Sequence, residues 1–127
     1  MALNLNWRAD RIGDDAGVVY VTLLHLRRAR DVPAFFRSSM AVRRQAIRAP
    51  GSRSVVMRAR PLNRTFVTVS WWDDEAAVRA FVRAESHRSS MERWRPEMLD
   101  FQNHTFAGTP GVVPGPADAE RVLTPSP

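Results

Sequence analysis

From Thr65 to Trp72 the chain reads TFVTVSWW, β-branched and aromatic residues separated only by small hydroxyls, which predicts a strand covered on both faces. Val18–Leu26 (VVYVTLLHL) is a second apolar run of strand length, entered from Gly17 and left through Arg27 and Arg28. Residues 53–60 (RSVVMRAR) read as a third strand, and Pro61, Leu62 and Asn63 supply a turn that would join it to Thr65–Trp72 as a hairpin. Residues 99–106 carry the last strand-like pattern.

Between these runs the period changes to that of a helix. Asp31, Val32 and Pro33 form a start signal, and Val32, Phe35, Phe36, Met40 and Ile47 fall near one face until Pro50 and Gly51 break the pattern. About four turns are predicted there. Asp73 and Asp74 suit the free N–H groups and positive dipole of a second helix start. Val78, Phe81 and Val82 then recur at i, i+3 and i+4, with Arg79 and Arg83 on the wet side. Ser86 is a candidate cap for a further helix, on which His87, Met91, Trp94 and Met98 share one face until Pro96 ends the helix near Trp94.

This order of strand, helix, strand, strand, two short helices and strand predicts an α+β, ferredoxin-like split βαβ fold with a four-stranded antiparallel sheet. Residues 1–16 are weakly patterned and read as an N-terminal extension, 17–107 as the domain, and 108–127 as a Gly/Pro-rich flexible tail with Val112, Val113, Val122 and Leu123 as its apolar anchors. Helices would cover one sheet face. The other is expected to be uncovered and to need a partner, a ligand or a second subunit.

Composition removes several kinds of chemistry. A chain of 127 residues is one ordinary domain, and its 19 basic residues are all arginine. Without lysine there is no Schiff-base catalysis and no Walker-type phosphate lysine. Without cysteine there is no thiolate nucleophile, thiolate haem ligand, iron–sulfur centre or cysteine zinc site. The charge of +6 is scattered over every element, as the arginine preference of a GC-rich genome would leave it, so no nucleic-acid partner is expected. In residues 64–71 only Phe66 fits the aromatic signature of RNA-binding domains, and no glycine-rich phosphate loop occurs. His25, His87 and His104 lie far apart with no H-x-x-x-H spacing, so neither metal nor cofactor is expected. No apolar stretch approaches the roughly 20 residues that span a bilayer, and no signal-peptide pattern opens the chain, which reads as cytoplasmic with no membrane partner.

Trp72 at a strand end, the acidic and alanine-bearing helix start Asp73, Asp74, Glu75, Ala76 and Ala77, and the later Phe81 and His87 resemble the dimeric α+β barrel superfamily, specifically its antibiotic-biosynthesis-monooxygenase-like group. The likeness covers residues 18–106. It implies a homodimer whose two sheets pack face to face, with a cleft in each subunit between the sheet and the helices. Members include cofactor-free oxygenases that turn polycyclic phenols into quinones, aromatic polyketide cyclases, haem-degrading enzymes and proteins with no known reaction, and fold alone does not choose among them.

Strand alternation places Tyr20, Thr22 and Leu24 together, as it does Thr68, Ser70 and Trp72, with Gln102 and His104 on the last strand and Arg58 as the polar member of the set opposite Val55 and Met57. This mixed set fits a cavity, whereas Val19, Val21, Val67, Val69 and Phe101 fit packing under helices. His87 is the candidate base, since a neutral imidazole can take a phenolic or acidic C–H proton near pH 7; the plain alternative is a helix-start histidine bonded to backbone. Arg58 and Ser70 would steady a developing oxyanion, though Arg58 could equally be an exposed strand arginine. Trp72 and Trp94 would flank a ring or serve as core anchors, and Tyr20, Thr22, Thr68, Met91 and His104 complete the substrate-binding set. Oxygenases of the resembled group place Asn, Trp, Tyr and Arg around the substrate. Here Tyr20 is the only tyrosine, Asn63 sits in the predicted turn, and Asn103 has the opposite parity to the cavity set.

The expected function is therefore a small cofactor-independent enzyme that oxygenates a phenolic or enolisable aromatic or polyketide-like substrate. A polyketide cyclase or dehydratase, and a non-catalytic dimeric ligand-binding protein, are the alternatives.

Overall fold

The β-branched runs become the centre of one antiparallel sheet. A computed structural model describes residues 2–124; residue 1 and residues 125–127, the ends of the two flanking segments, lie outside the described residues. The strands are β1 (Leu3–Arg8), β2 (Val18–Leu26), β3 (Ser52–Arg60), β4 (Thr65–Trp72) and β5 (Met98–Ala107), in the spatial order β1-β3-β4-β2-β5. On one face lie α1 (Val32–Arg48), α2 (Glu75–Arg83) and α3 (His87–Trp94). Asp74 caps α2, its Oδ1 accepting from the Ala77 N–H at 2.8 Å, which satisfies a donor that the helix leaves free.

The four expected strands are joined by a fifth. β1 pairs with β3, setting Leu5 and Trp7 opposite Met57 and Val55 on the helix side, and Asn4 and Asn6 opposite Arg58 and Val56 on the other. The signal is present in the alternation LNLNWR. It reads as loop because asparagine is poor in strands and a one-sided edge strand carries half the usual apolar content.

Register settles the faces. Tyr20 is opposite Ser70 and Thr22 opposite Thr68, and Met57 is opposite Thr68 from the other side, so these residues share the helix-facing side. Val19, Val21 and Val69 instead join Val56 and Trp71 in a cluster on the outer face, with Val67 packed against it, so none of them lies under the helices as expected. On β5 the expected parity is reversed: Phe101 and Asn103 are opposite Leu24 and Thr22, whereas Gln102 and His104 are opposite Leu23 and Val21. The two phenylalanines of β5, Phe101 and Phe106, fall on opposite faces, so apolar alternation within that strand points both ways.

The outer face is not left uncovered. Residues 108–124 turn back across the sheet, and the short α4 (Pro116–Glu120) sets Ala119, 1% exposed, against the outer valines and Trp71. Val122 and Leu123 pack beside it, and Ile12 from the N-terminal segment joins the same cluster. The Gln102 amide donates to Thr124 O at 2.9 Å and accepts from Thr124 N at 3.0 Å, fixing the far end of this segment to β5. Trp71 Nε1 donates to Ala16 O at 2.9 Å. That close approach needs Gly17, whose φ is +62° and whose missing Cβ would lie 2.6 Å from Trp72 O. The segment read as a flexible tail is thus part of a second core.

Ala119→Asp places a carboxylate among Val19, Val21, Val56 and Trp71. Its expected cost is about 2–4 kcal/mol, read as a lower urea midpoint at unchanged slope, with increased light scattering as the outer face is uncovered.

Candidate active site

The helix-facing core is divided. Near one end of the sheet Leu26, Phe35, Ala59, Phe66, Trp94 and Met98 form one cluster; near the other Ala46, Val55, Trp72, Val78 and Phe81 form a second. A cavity of about 80 Å³ lies where the two meet. The sheet contributes Tyr20, Thr22, Thr68 and Ser70 to its wall, α3 contributes His87 and Met91, and α1 contributes Phe35, Ser39, Val42, Arg43 and Ala46. Those α1 positions recur at i, i+4, i+7, i+8 and i+11, the spacing of a single helix face.

Several of the expected site residues are therefore together: Tyr20, Thr22, Thr68, Ser70, His87 and Met91. Four are not. Arg58 lies on the outer face, its Nε donating to Asn4 Oδ1 at 3.0 Å, because its parity is opposite to that of Val55 and Met57. His104 is on that face too, with Nε2 3.5 Å from Gln102 Oε1, for the reversed parity of β5 given above. Trp72 is fully buried against Phe81, ring centroids 5.0 Å apart, and belongs to the core between β4 and α2. Trp94 packs edge-on to Phe35 and donates from Nε1 to Ser38 Oγ at 3.0 Å, which turns it into the other cluster. Ser70 lines the cavity, but its hydroxyl donates to Tyr20 O at 3.2 Å, so toward a ligand it offers lone pairs instead of the proton an oxyanion would require.

His87 is held at both its backbone and its ring. Nδ1 lies 3.1 Å from Val82 O. A carbonyl oxygen can only accept, so Nδ1 carries the proton, and the neutral ring keeps its lone pair on Nε2. Burial pushes the pKa below the ordinary histidine value, partly opposed by the Val82 carbonyl. A neutral imidazole with its basic nitrogen free is the state that general-base work requires.

The backbone of His87 is fixed by a residue that sequence reading passed over. Ser86 occupies the cap position of α3 but makes no side-chain cap bond. Gln45 of α1 replaces it, with Oε1 accepting from the His87 N–H at 2.7 Å while Nε2 donates to Phe81 O at 3.0 Å. One primary amide thus ties the end of α2 to the start of α3 and sets the span across which Val82 O meets the imidazole. Only a group with a donor and an acceptor side by side can do this. Arg43 is the second residue missed; its sequence signal was an arginine lying on the same helix face as Phe35, Val42 and Ala46.

No protein-family model matches the chain, and no curated protein matches it in sequence. Solved structures match its fold. SnoaB, a cofactor-independent oxygenase from Streptomyces nogalater, superposes with a TM-score of 0.61 at 18% identity, covering 75% of this chain and 94% of that one. A candidate antibiotic biosynthesis monooxygenase from Nitrosomonas europaea gives 0.66 at 13% identity, over 77% of this chain and 95% of that one. The fold is that of the antibiotic-biosynthesis-monooxygenase-like proteins. LmHde, a heme-degrading enzyme from Listeria monocytogenes, shares it with a TM-score of 0.61 at 18% identity, covering 73% of this chain and 62% of that one. In this monooxygenase-like fold the cavity described here lies between the sheet and the helices. Among the described residues no helix is long and apolar enough to cross a membrane.

Gln45→Leu removes both amide contacts and leaves the Phe81 carbonyl and the His87 N–H without partners, at an expected cost of about 1–3 kcal/mol. Gln45→Glu keeps the acceptor but sets a carboxylate oxygen against Phe81 O, so it is expected to lose stability as well. In both variants the His87 ring signals in an imidazole ¹⁵N spectrum should move.

Because the folded-state pKa of His87 is depressed, the unfolded chain takes up this proton first as pH falls. The stability linked to the neutral ring is complete above the unfolded value, near 6.5, and is lost as pH drops from there toward the lower folded value. His87→Asn should flatten that acid limb of urea midpoint against pH.

Proposed function

We propose that this chain is a cofactor-independent monooxygenase in which His87 removes a proton from a small phenolic or enolisable substrate held between the sheet and the helices. The observation that carries this reading is the neutral, Nδ1-protonated His87 in the wall of a cavity between the sheet and the helices. SnoaB, which has the same fold, is itself named a cofactor-independent oxygenase.

Deprotonation at carbon leaves an electron-rich carbanion, conjugated to a ring or carbonyl, that can pass electrons to dioxygen directly. Over the whole reaction two C–H bonds of a methylene break and one oxygen atom becomes the carbonyl. The other oxygen leaves as water with the two hydrogens. His87 accepts the first proton on Nε2 and returns it to the departing oxygen. A base so placed contributes roughly 10²–10⁴-fold. Phe35, Met57, Phe81 and Met91 keep the site dry, and Tyr20, Thr22 and Thr68 supply the few polar groups that orient the ligand.

Size restricts the substrate. Sites for drug-sized ligands run to roughly 300–1,000 Å³, and a cavity that admits benzene is about 150 Å³, so this space of about 80 Å³ sets one ring or a short β-dicarbonyl as the upper limit, reached only if wall side chains give way, and excludes a fused polycycle or a haem macrocycle.

Incubation with one-ring phenols and β-dicarbonyls under ¹⁸O₂ should give a product that has gained one labelled oxygen and lost two hydrogens. His87→Ala should lower turnover about 100-fold or more while the fold persists. An isomer or dehydration product formed without oxygen uptake would replace oxygenation by cyclase or dehydratase chemistry at the same base. Ligand binding without conversion would leave a binding protein.

A further inference from the structure

We propose that the cavity takes a small organic acid, whose carboxylate is bound by Arg43. This rests on the reading of the cavity as a substrate site and names the class of substrate.

Arg43 is the one side chain in the cavity wall that carries a permanent charge, and no carboxylate lines the cavity to balance it. Its Nε is buried and has no hydrogen-bond acceptor, and among the described residues no acidic side chain pairs with the guanidinium. The contrast with Arg53 is informative. Arg53, a fully buried residue where Arg43 is half-buried with its Nε shielded, is met by both Asp15 and Asp73. A buried guanidinium N–H without an acceptor is a standing cost unless something that enters the site supplies one.

The neutral state of His87 sharpens the point, because the imidazole adds no second positive charge and cannot serve as a counter-ion for the ligand. The cavity wall therefore offers one arginine Nε–H without an acceptor, one proton acceptor, and residues that are otherwise apolar or weakly polar. A planar carboxylate matches a guanidinium in charge and in donor geometry better than any neutral group does. Arg43 from α1 and His87 from α3 line the same small cavity, so an acid anchored at Arg43 has the rest of its skeleton on the side of His87. Hydroxybenzoates and short β-keto acids have the required form, an anionic handle conjugated to an acidic O–H or C–H.

The arginine identified here is not the one that strand alternation suggested. Arg58 is bonded to Asn4 on the outer face, whereas Arg43 approaches from the helix layer.

The test uses the full chain and isothermal titration with para-hydroxybenzoate and its neutral isostere para-hydroxybenzamide at about pH 7.5, where only the acid is ionised. The acid should bind at least about tenfold more tightly, Arg43→Lys should keep part of that preference, and Arg43→Gln should reduce it to about twofold or less. His87→Gln should leave the preference intact. Equal affinity for acid and amide, no binding of the acid, or an undiminished preference in Arg43→Gln would each overturn the proposal. Should Arg43→Gln fail to fold, the wild-type ratio and Arg43→Lys still decide. Acid preference without turnover would remove the monooxygenase reading and leave Arg43 as the anchor, whereas turnover of neutral substrates with no acid preference would do the reverse.

Discussion

Two adjacent tryptophans at the end of the central strand hold this structure in register. Trp71 and Trp72 are both fully buried, and because they are neighbours on a strand they point to opposite faces. Trp71 anchors the outer core under the C-terminal segment; Trp72 anchors the inner core under α2. A slip of one residue would exchange them and drive each indole into a space shaped for the other, so β4 has one register. The surrounding polar bonds act on the same point. Arg53 lies 5.0 Å from the Trp71 ring and pairs with Asp15 of the N-terminal segment and Asp73 beyond β4. Burial alone would lower the Arg53 pKa, but the bonds to both carboxylates outweigh it and raise it, while Arg53 holds Asp15 below the usual carboxylate range. The end of β4 is thus where both faces of the sheet and the start of α2 are joined.

That constraint explains which parts of the fold were legible in the sequence. β2, β4, α1 and α2 were readable because their apolar residues are dense and their ends carry Gly, Pro or acidic punctuation. β1 was not, since LNLNWR is a strand only by virtue of lying against β3. The role of residues 108–124 was hidden for a related reason. Ala119, Val122 and Leu123 are too sparse to announce a core and become one only when the outer valines are facing them. Local pattern reports how a segment could pack, and not which of two sheet faces will receive it.

The site divides along the same line. Alternation grouped Tyr20, Thr22, Thr68 and Ser70 correctly because β2 and β4 are long, regular and paired without interruption from Val18 to His25. Across β3 and β5 the grouping failed for Arg58 and His104, since parity must be carried from strand to strand: β3 is buried on both faces and β5 carries apolar residues on both, so neither strand's own pattern fixes it. Gln45 could not be found by any local rule. Its function exists only because two helix ends, far from it in sequence, present one carbonyl and one N–H at the spacing of a primary amide.

Chemistry follows from how unequally the polar groups of the inner layer are satisfied. Trp94 has Ser38, Ser70 has Tyr20, the His87 backbone has Gln45 and its Nδ1 has Val82. Trp72 Nε1 is left without an acceptor in the packed core under α2, away from the cavity; in the cavity wall itself a basic imidazole nitrogen and an arginine Nε with no acceptor remain. A packed interior tolerates an unmatched donor poorly, and few such groups survive in native proteins without a role. The two left over are complementary in what they ask of a ligand, one a proton and the other a negative charge. A molecule that is both an anion and a weak acid satisfies both at once, which is why the unfinished pairing in this small cavity, more than the fold around it, points to a substrate.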